Sequence, residues 1–147
     1  MNNVTPERVR EAYDALSSGE KERIEQYWAE DMKWLIPGHS HLSGWHYGRT
    51  AFLELMATIG RLSDNSFSME TTLVLTNDEY STDVSRNVGY RTGSKGTGTV
   101  PYRKLDIIAI HLLRWHEGRI IEGRGAIVGD GAAQYDQFWS PVGDHQE

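Results

Sequence analysis

The sequence predicts an α+β fold, with helices gathered at the N-terminal end and an antiparallel meander after them. Three observations lead there. Apolar residues recur at i, i+3, i+4 and i+7 as far as Leu62. From Ser66 onward the apolar period falls to two. Turn signals then punctuate that second region at Asn77-Asp78, TGSKGTG and His116-Glu117-Gly118, as hairpins require. Helices followed by strands in this order pack against one face of a curved sheet. A length of 147 residues suits one domain, taken as 1–147.

The elements follow in order. Thr5 can accept a hydrogen bond from the first turn of a helix, Pro6 suits its first position, and Glu7 complements the positive end of the dipole. Val9, Ala12, Tyr13 and Leu16 form its apolar stripe, and Gly19 closes it. A short second helix runs through Ile24, Tyr27 and Trp28. Met32–Ile36 is a short apolar run halted by Pro37-Gly38, hence a strand. The loop GHSHLSGWHYGR follows, and Thr50 is placed to cap a third helix carrying Phe52, Leu55, Met56, Ile59 and Leu62. Alternation then puts Phe67, Met69, Thr71, Leu73 and Leu75 on one face of a strand. The next strand lies near Thr82–Arg91, with the glycines of TGSKGTG making a hairpin connection. A long apolar strand, bent near Pro101, runs to Trp115, and a turn leads into Arg119–Val128 and a short aromatic tail.

Composition narrows the function. Apolar residues at 38% supply one core without disulfides or metal staples. Fifteen Lys and Arg against 21 Asp and Glu leave a net charge of −6, the wrong sign for wrapping nucleic acid. The absence of cysteine removes thiol nucleophiles, disulfides and cysteine-based metal sites. No apolar run reaches the roughly 18 residues of a membrane helix, and the polar start MNNVTPERVR does not look like a signal peptide. A cytoplasmic protein is the expectation, with neither nucleic acid nor membrane as partner.

YDALSSGE, WLIPG, HLSGWHYGRTAFLELM, HLLRWHEGRIIEG and QYDQFW, in this order and spacing, resemble the SnoaL-like branch of the nuclear transport factor 2-like superfamily. The resemblance spans about Val9 to Trp139. It implies a cystatin-like cone, three N-terminal helices on a strongly curved antiparallel sheet around a mostly apolar pocket, and often a dimer. Relatives include polyketide cyclases, ketosteroid isomerases and limonene epoxide hydrolases, so the fold alone does not carry a chemistry.

Three residues stand out as catalytic candidates. His111 lies in LDIIAIHLL, apolar on both faces, at a position where the resemblance implies a pocket-facing aspartate. An imidazole there can donate, accept or act as base near neutral pH; the alternative is a core histidine satisfied by a carbonyl or a neighbouring acid. Tyr13, on the apolar stripe of the first helix, lies close to an oxyanion-hole tyrosine of the ketosteroid isomerases, with spacing to Gly19 different by one residue. The alternative is a core tyrosine reaching a rim. Arg86 shares a strand face with Val84, Val88 and Tyr90, where a guanidinium needs a carboxylate. That partner is a ligand or, in a structural ion pair, Glu122 or Asp106.

Trp34, Met56 and Trp115 are expected pocket walls, and Glu122 matches an acidic position frequent in the family. Gly123 and Gly125 stand where relatives tend to carry bulky aromatics, which would either widen the pocket or allow close backbone packing. His39 and Trp45 lie in the Gly-rich loop, which is suited to close aromatics over a pocket. His39, His41 and His46 lack a third carboxylate ligand at suitable spacing, so no metal and no cofactor is expected. Trp34-Leu35-Ile36-Pro37 offers no carboxylate where the isomerases carry their base, and no epoxide-hydrolase Arg-x-Asp arrangement is evident. The expected function is therefore proton-transfer cyclisation or isomerisation of an apolar oxygenated molecule, a polyketide or terpenoid. The alternatives are a non-catalytic ligand-binding or dimerisation module, or a hydrolase or dehydratase in the same pocket. Ile108, Ile110 and Leu112, apolar on the face opposite His111, predict a homodimer across the sheet.

Overall fold

The computed structural model describes residues 2–91 and 104–139. Helix α1 (Pro6–Ser18) starts as its sequence dictates, with Thr5 Oγ1 accepting from the Arg8 amide at 3.1 Å and Gly19 closing it in the left-handed region at φ 68°. Helix α2 (Lys21–Tyr27) is short, and the chain passes directly into β1 (Trp28–Ile36), so Trp28 begins the strand and does not end the helix. The expected loop contains an edge strand, β2 (Gly44–Tyr47). Helix α3 (Arg49–Leu62) is preceded by Gly48 at φ 90°, a conformation open to glycine, and not capped by Thr50. Strands β3 (Ser68–Thr76), β4 (Tyr80–Tyr90), β5 (Lys104–His116) and β6 (Arg119–Ile127) follow. A fourth helix, α4 (Gly131–Trp139), takes the place of the expected aromatic tail. The TGSKGTG connection and the bend at Pro101 lie outside the described residues.

The strands form one curved sheet in the order β2-β1-β6-β5-β4-β3. It is mixed, not wholly antiparallel: β1 runs parallel to β6, pairing Trp34 with Gly123 and Leu35 with Arg124. The Asn77 turn is held by its side-chain oxygen, which accepts from the amides of Glu79 and Tyr80. The second turn places Glu117 and Gly118 at φ 51° and 80°, as a tight hairpin demands. In β3 the register slips between Thr71 and Leu73. That bulge reverses the alternation, so Met69 and Thr71 face inward while Leu73 and Leu75 face out. The single apolar face read from the sequence is thereby split in two.

The core lies between the inner sheet face and the helices. Val9, Ala12 and Ala15 of α1 are buried, and Phe52 of α3 stacks on Trp28 and lies against Trp34, both with ring centroids 5.0 Å away. The Trp28 indole nitrogen donates to the Ala12 carbonyl at 3.0 Å, so this large ring is buried without a lost hydrogen bond. Burial of each such ring contributes on the order of 2–3 kcal/mol.

Strand β4 inverts the usual pattern. Its inward row is Ser81, Asp83, Ser85 and Asn87, all buried, while Val84, Arg86 and Val88 lie on the outer face. Four polar groups inside a sheet are tolerable only with partners, and those partners organise the cavity.

Candidate active site

A cavity of about 810 Å³ opens between the inner sheet face and helices α1, α3 and α4. Its apolar wall includes Trp34 and Ile36 of β1, Phe52 and Met56 of α3, and Ala109 of β5. Tyr13, Asn87 and His111 bring polar groups to the same space.

His111 is carried inward by the alternation of β5, which also buries Ile107, Ala109, Leu113 and Trp115. It pairs with Asp83 across β4 and with Gly125 across β6. Its Nδ1 lies 2.9 Å from Asp83 Oδ1, and the Tyr13 hydroxyl donates to Asp83 Oδ2 at 2.7 Å. Asp83 is fully buried, so one carboxylate between two donors fixes both rings. A carboxylate accepts only, hence Nδ1 donates in this bond and Nε2 is the ring nitrogen left for other partners. Among the described residues Nε2 has no hydrogen-bond partner. Burial, and secondarily the adjacent Asp83 charge, push the Tyr13 phenol well above the usual tyrosine range, so it stays protonated as a donor. That proton is donated to Asp83 and is not directed into the cavity, as the oxyanion donor expected from its place on the helix would require.

Asp83 was not among the candidates drawn from the sequence. Its strand reads TDVSRNV, and an acid alternating with Ser81, Ser85 and Asn87 looks like one member of a solvated face. Only the pairing of β4 with β5 brings it against His111.

Other candidates lie elsewhere. Arg86 is outside the cavity on the exposed face, in a two-pronged bond to Asp106 at 2.9 and 2.7 Å, the structural ion pair that the sequence left open. Glu122 also points outward, accepting from Arg124 at 2.9 Å beside Lys33 at 3.8 Å. Trp45 is no lid. On β2 it shares the outer face with Leu35 and sits beneath Lys33 and Arg124, 4.6 and 5.2 Å from its ring centre. The His39 side chain is 97% exposed, while its backbone amide donates to Asp136 of α4 at 2.9 Å. Trp115 is buried away from the cavity, its indole donating to Ser81 at 3.0 Å. Trp34 and Met56 do line the cavity.

The two glycines of β6 resolve alike. A Cβ on Gly123 would stand 2.2 Å from the Trp34 ring, so its bareness is what lets that ring lie on the backbone. Gly125 lines the cavity beside His111, where an added Cβ would press on the Pro37 ring at 3.2 Å and lie 3.7 Å from the imidazole, so here too the bare backbone serves close packing. Among the described residues no cluster of His, Asp or Glu has the arrangement of a metal site.

A helix-covered, curved mixed sheet with a cavity on its inner face is the nuclear transport factor 2-like, or cystatin-like, fold, and solved structures share it. Bal32a, from a soil-derived mobile gene cassette, is 27% identical with a TM-score of 0.77, covering 90% of this chain and 94% of that one. A nuclear transport factor 2-like protein of Burkholderia xenovorans is 18% identical with a TM-score of 0.69, covering 88% and 93%. A protein of Sinorhizobium meliloti, described as a proposed polyketide cyclase, is 16% identical with a TM-score of 0.61, covering 83% and 95%. No curated protein matches the chain. The sequence pattern of the SnoaL-like domain matches residues 9–123, and the chain belongs to that family.

Proposed function

We propose that this protein is a SnoaL-like enzyme that moves protons on an apolar, oxygenated small molecule, a polyketide or terpenoid, in a net cyclisation or isomerisation. The observation that carries the reading is the chain Tyr13–Asp83–His111 at the wall of an otherwise apolar cavity. His111 Nε2 takes a proton from a carbon next to a carbonyl. The resulting imidazolium is stabilised by buried Asp83, which also holds the ring in the required tautomer. Tyr13 fixes the carboxylate. The same nitrogen then returns the proton at another position. The likeness in fold to a proposed polyketide cyclase supports the substrate class.

A test needs no natural substrate. Exchange of the α-protons of 2-tetralone in D₂O, followed by NMR, reads base catalysis on an apolar ketone. The wild-type protein accelerates exchange, and His111→Ala loses about 10²–10⁴-fold while the affinity for the ketone changes little. Unchanged exchange in His111→Ala refutes the role.

The apolar β1 wall, Trp34 and Ile36, favours a second reading, a ligand-binding module that turns nothing over. In that case 2-tetralone binds and no exchange is catalysed. We also propose a homodimer, acting in the cytoplasm, whose interface is the outer sheet face. Leu73, Leu75, Ile108, Ile110 and Leu112 are between 37% and 57% exposed there, apolar rows on β3 and β5 that flank Thr82, Val84 and Arg86 of β4. A second copy of the same face is the occupant that twofold symmetry supplies.

A further inference from the structure

We infer that Asn87 is a second polar anchor of the cavity, so that the ligand is elongated and carries hydrogen-bonding oxygen at both ends. The inference rests on the cavity being the ligand site, and not on turnover by His111.

The inward row of β4 is the starting point. Ser81 is satisfied by the Trp115 indole, and Asp83 by Tyr13 and His111. Ser85 donates to the Asn87 side-chain oxygen at 3.4 Å, a long bond. Asn87 itself is 4% exposed and lines the cavity. Its side-chain nitrogen has no hydrogen-bond partner, although a side-chain amide offers two donors as well as an acceptor. The nitrogen is therefore open to the cavity, where its two donors are met by water or by a ligand.

Position sets the shape of the ligand. Asp83 pairs with His111, and Asn87 pairs with Ile107 on the same two strands. Four residues of strand separate the two levels, about 13 Å at ~3.3 Å per residue. Small Ala109, with Ser85 opposite it, lies between. The wall between the two polar ends is therefore low, and a flat apolar body fits along it. One end of the ligand meets His111 Nε2 and the other meets the Asn87 amide. A phenolic or enolic hydroxyl suits both, because it can donate to the imidazole and accept from the amide.

Three probes of graded chemistry test this: 4,4′-dihydroxybiphenyl, 4-hydroxybiphenyl and biphenyl. Binding is followed by quenching of tryptophan fluorescence, with Trp34 in the cavity wall. On the wild-type protein the second hydroxyl strengthens binding about 3- to 10-fold over the monophenol. Asn87→Ala removes that gain, so the diol falls to the affinity of the monophenol while biphenyl is unchanged. Asn87→Ser, which keeps a hydroxyl, retains part of the gain, and it serves alongside the wild-type ranking if Asn87→Ala does not fold. The anchor is refuted if the second hydroxyl adds nothing on wild type, if its gain survives loss of the amide, or if neither phenol binds. Failure of His111 to catalyse exchange leaves these binding differences standing, which separates the two readings.

Discussion

Tyr13→Phe removes one oxygen atom and tests the whole polar chain. The hydroxyl donates at 2.7 Å to a carboxylate with no solvent exposure, so its loss leaves one oxygen of that carboxylate without its donor. A hydrogen bond to a charged group is worth about 1.5–3 kcal/mol, and the variant should lose that much stability at neutral pH. For a chain of this length the loss corresponds to a fall in Tm of roughly 4–10 °C, read by circular dichroism. The pH dependence gives a second signature. The folded-state pKa of Tyr13 lies above its unfolded value near 10, so its contribution is fully present below about pH 10 and is lost as pH rises through the folded value. The stability gap between wild type and variant should therefore narrow above about pH 10. Tyr135, whose pKa is likewise raised by burial, declines equally in both proteins and cancels. Urea titrations at pH 7 and at pH 10 and above measure the gap directly. A difference under about 0.5 kcal/mol at pH 7, or a gap that holds constant into strong alkali, would refute the account of Asp83 as a carboxylate held from two sides.

Gly123→Ala should destabilise the fold by about 1–3 kcal/mol in thermal unfolding, because a methyl cannot coexist with the Trp34 ring at 2.2 Å without displacing it. Arg86→Ala should leave α-proton exchange unchanged and shift Tm only slightly, since its pair with Asp106 is exposed. Ile110→Glu places a charge in the middle of the outer apolar face, and sedimentation should then show monomer where wild type runs as dimer. A wild-type protein that sediments as monomer at micromolar concentration removes that proposal.

How much of this was legible in the sequence depended on where the partner of each residue lay. Helix α1 was readable to its caps because Thr5, Pro6 and Gly19 act within a turn or two of themselves. The inward face of β5 was readable only as one of two apolar faces, Ile107, Leu113 and Trp115 alternating with Ile108, Ile110 and Leu112. Strand β4 was not. Alternation identifies two faces but not which is inside, and hydrophobicity favoured Val84, Val88 and Tyr90 over Asp83, Ser85 and Asn87. The choice reverses because the polar row finds donors on α1 and β5, contacts that span the chain. The β3 bulge and the β2 strand were hidden for a related reason. A one-residue slip and a four-residue edge pairing depend on neighbouring strands, not on local pattern. Arg86 followed that inversion outward to Asp106, while Glu122 of β6 meets Arg124 and Lys33 at the surface.

The parallel pairing of β1 with β6 has a consequence for how the chain reaches this state. Trp28 is hydrogen-bonded into the sheet beside Ile120, so the first strand made waits for the last before its inner edge is closed. During synthesis β1 emerges early, rich in aromatic and apolar side chains, with only the short β2 available on its other side. Contacts of such long sequence separation form late and slow the search, and an open strand edge invites pairing between chains in the meantime. Charged Glu30, Asp31 and Lys33 lie along that strand, the kind of residue that discourages edge-to-edge association. Truncation anywhere before Arg119 would leave β1 without its neighbour, so an incomplete chain loses the middle of its sheet and not merely an end.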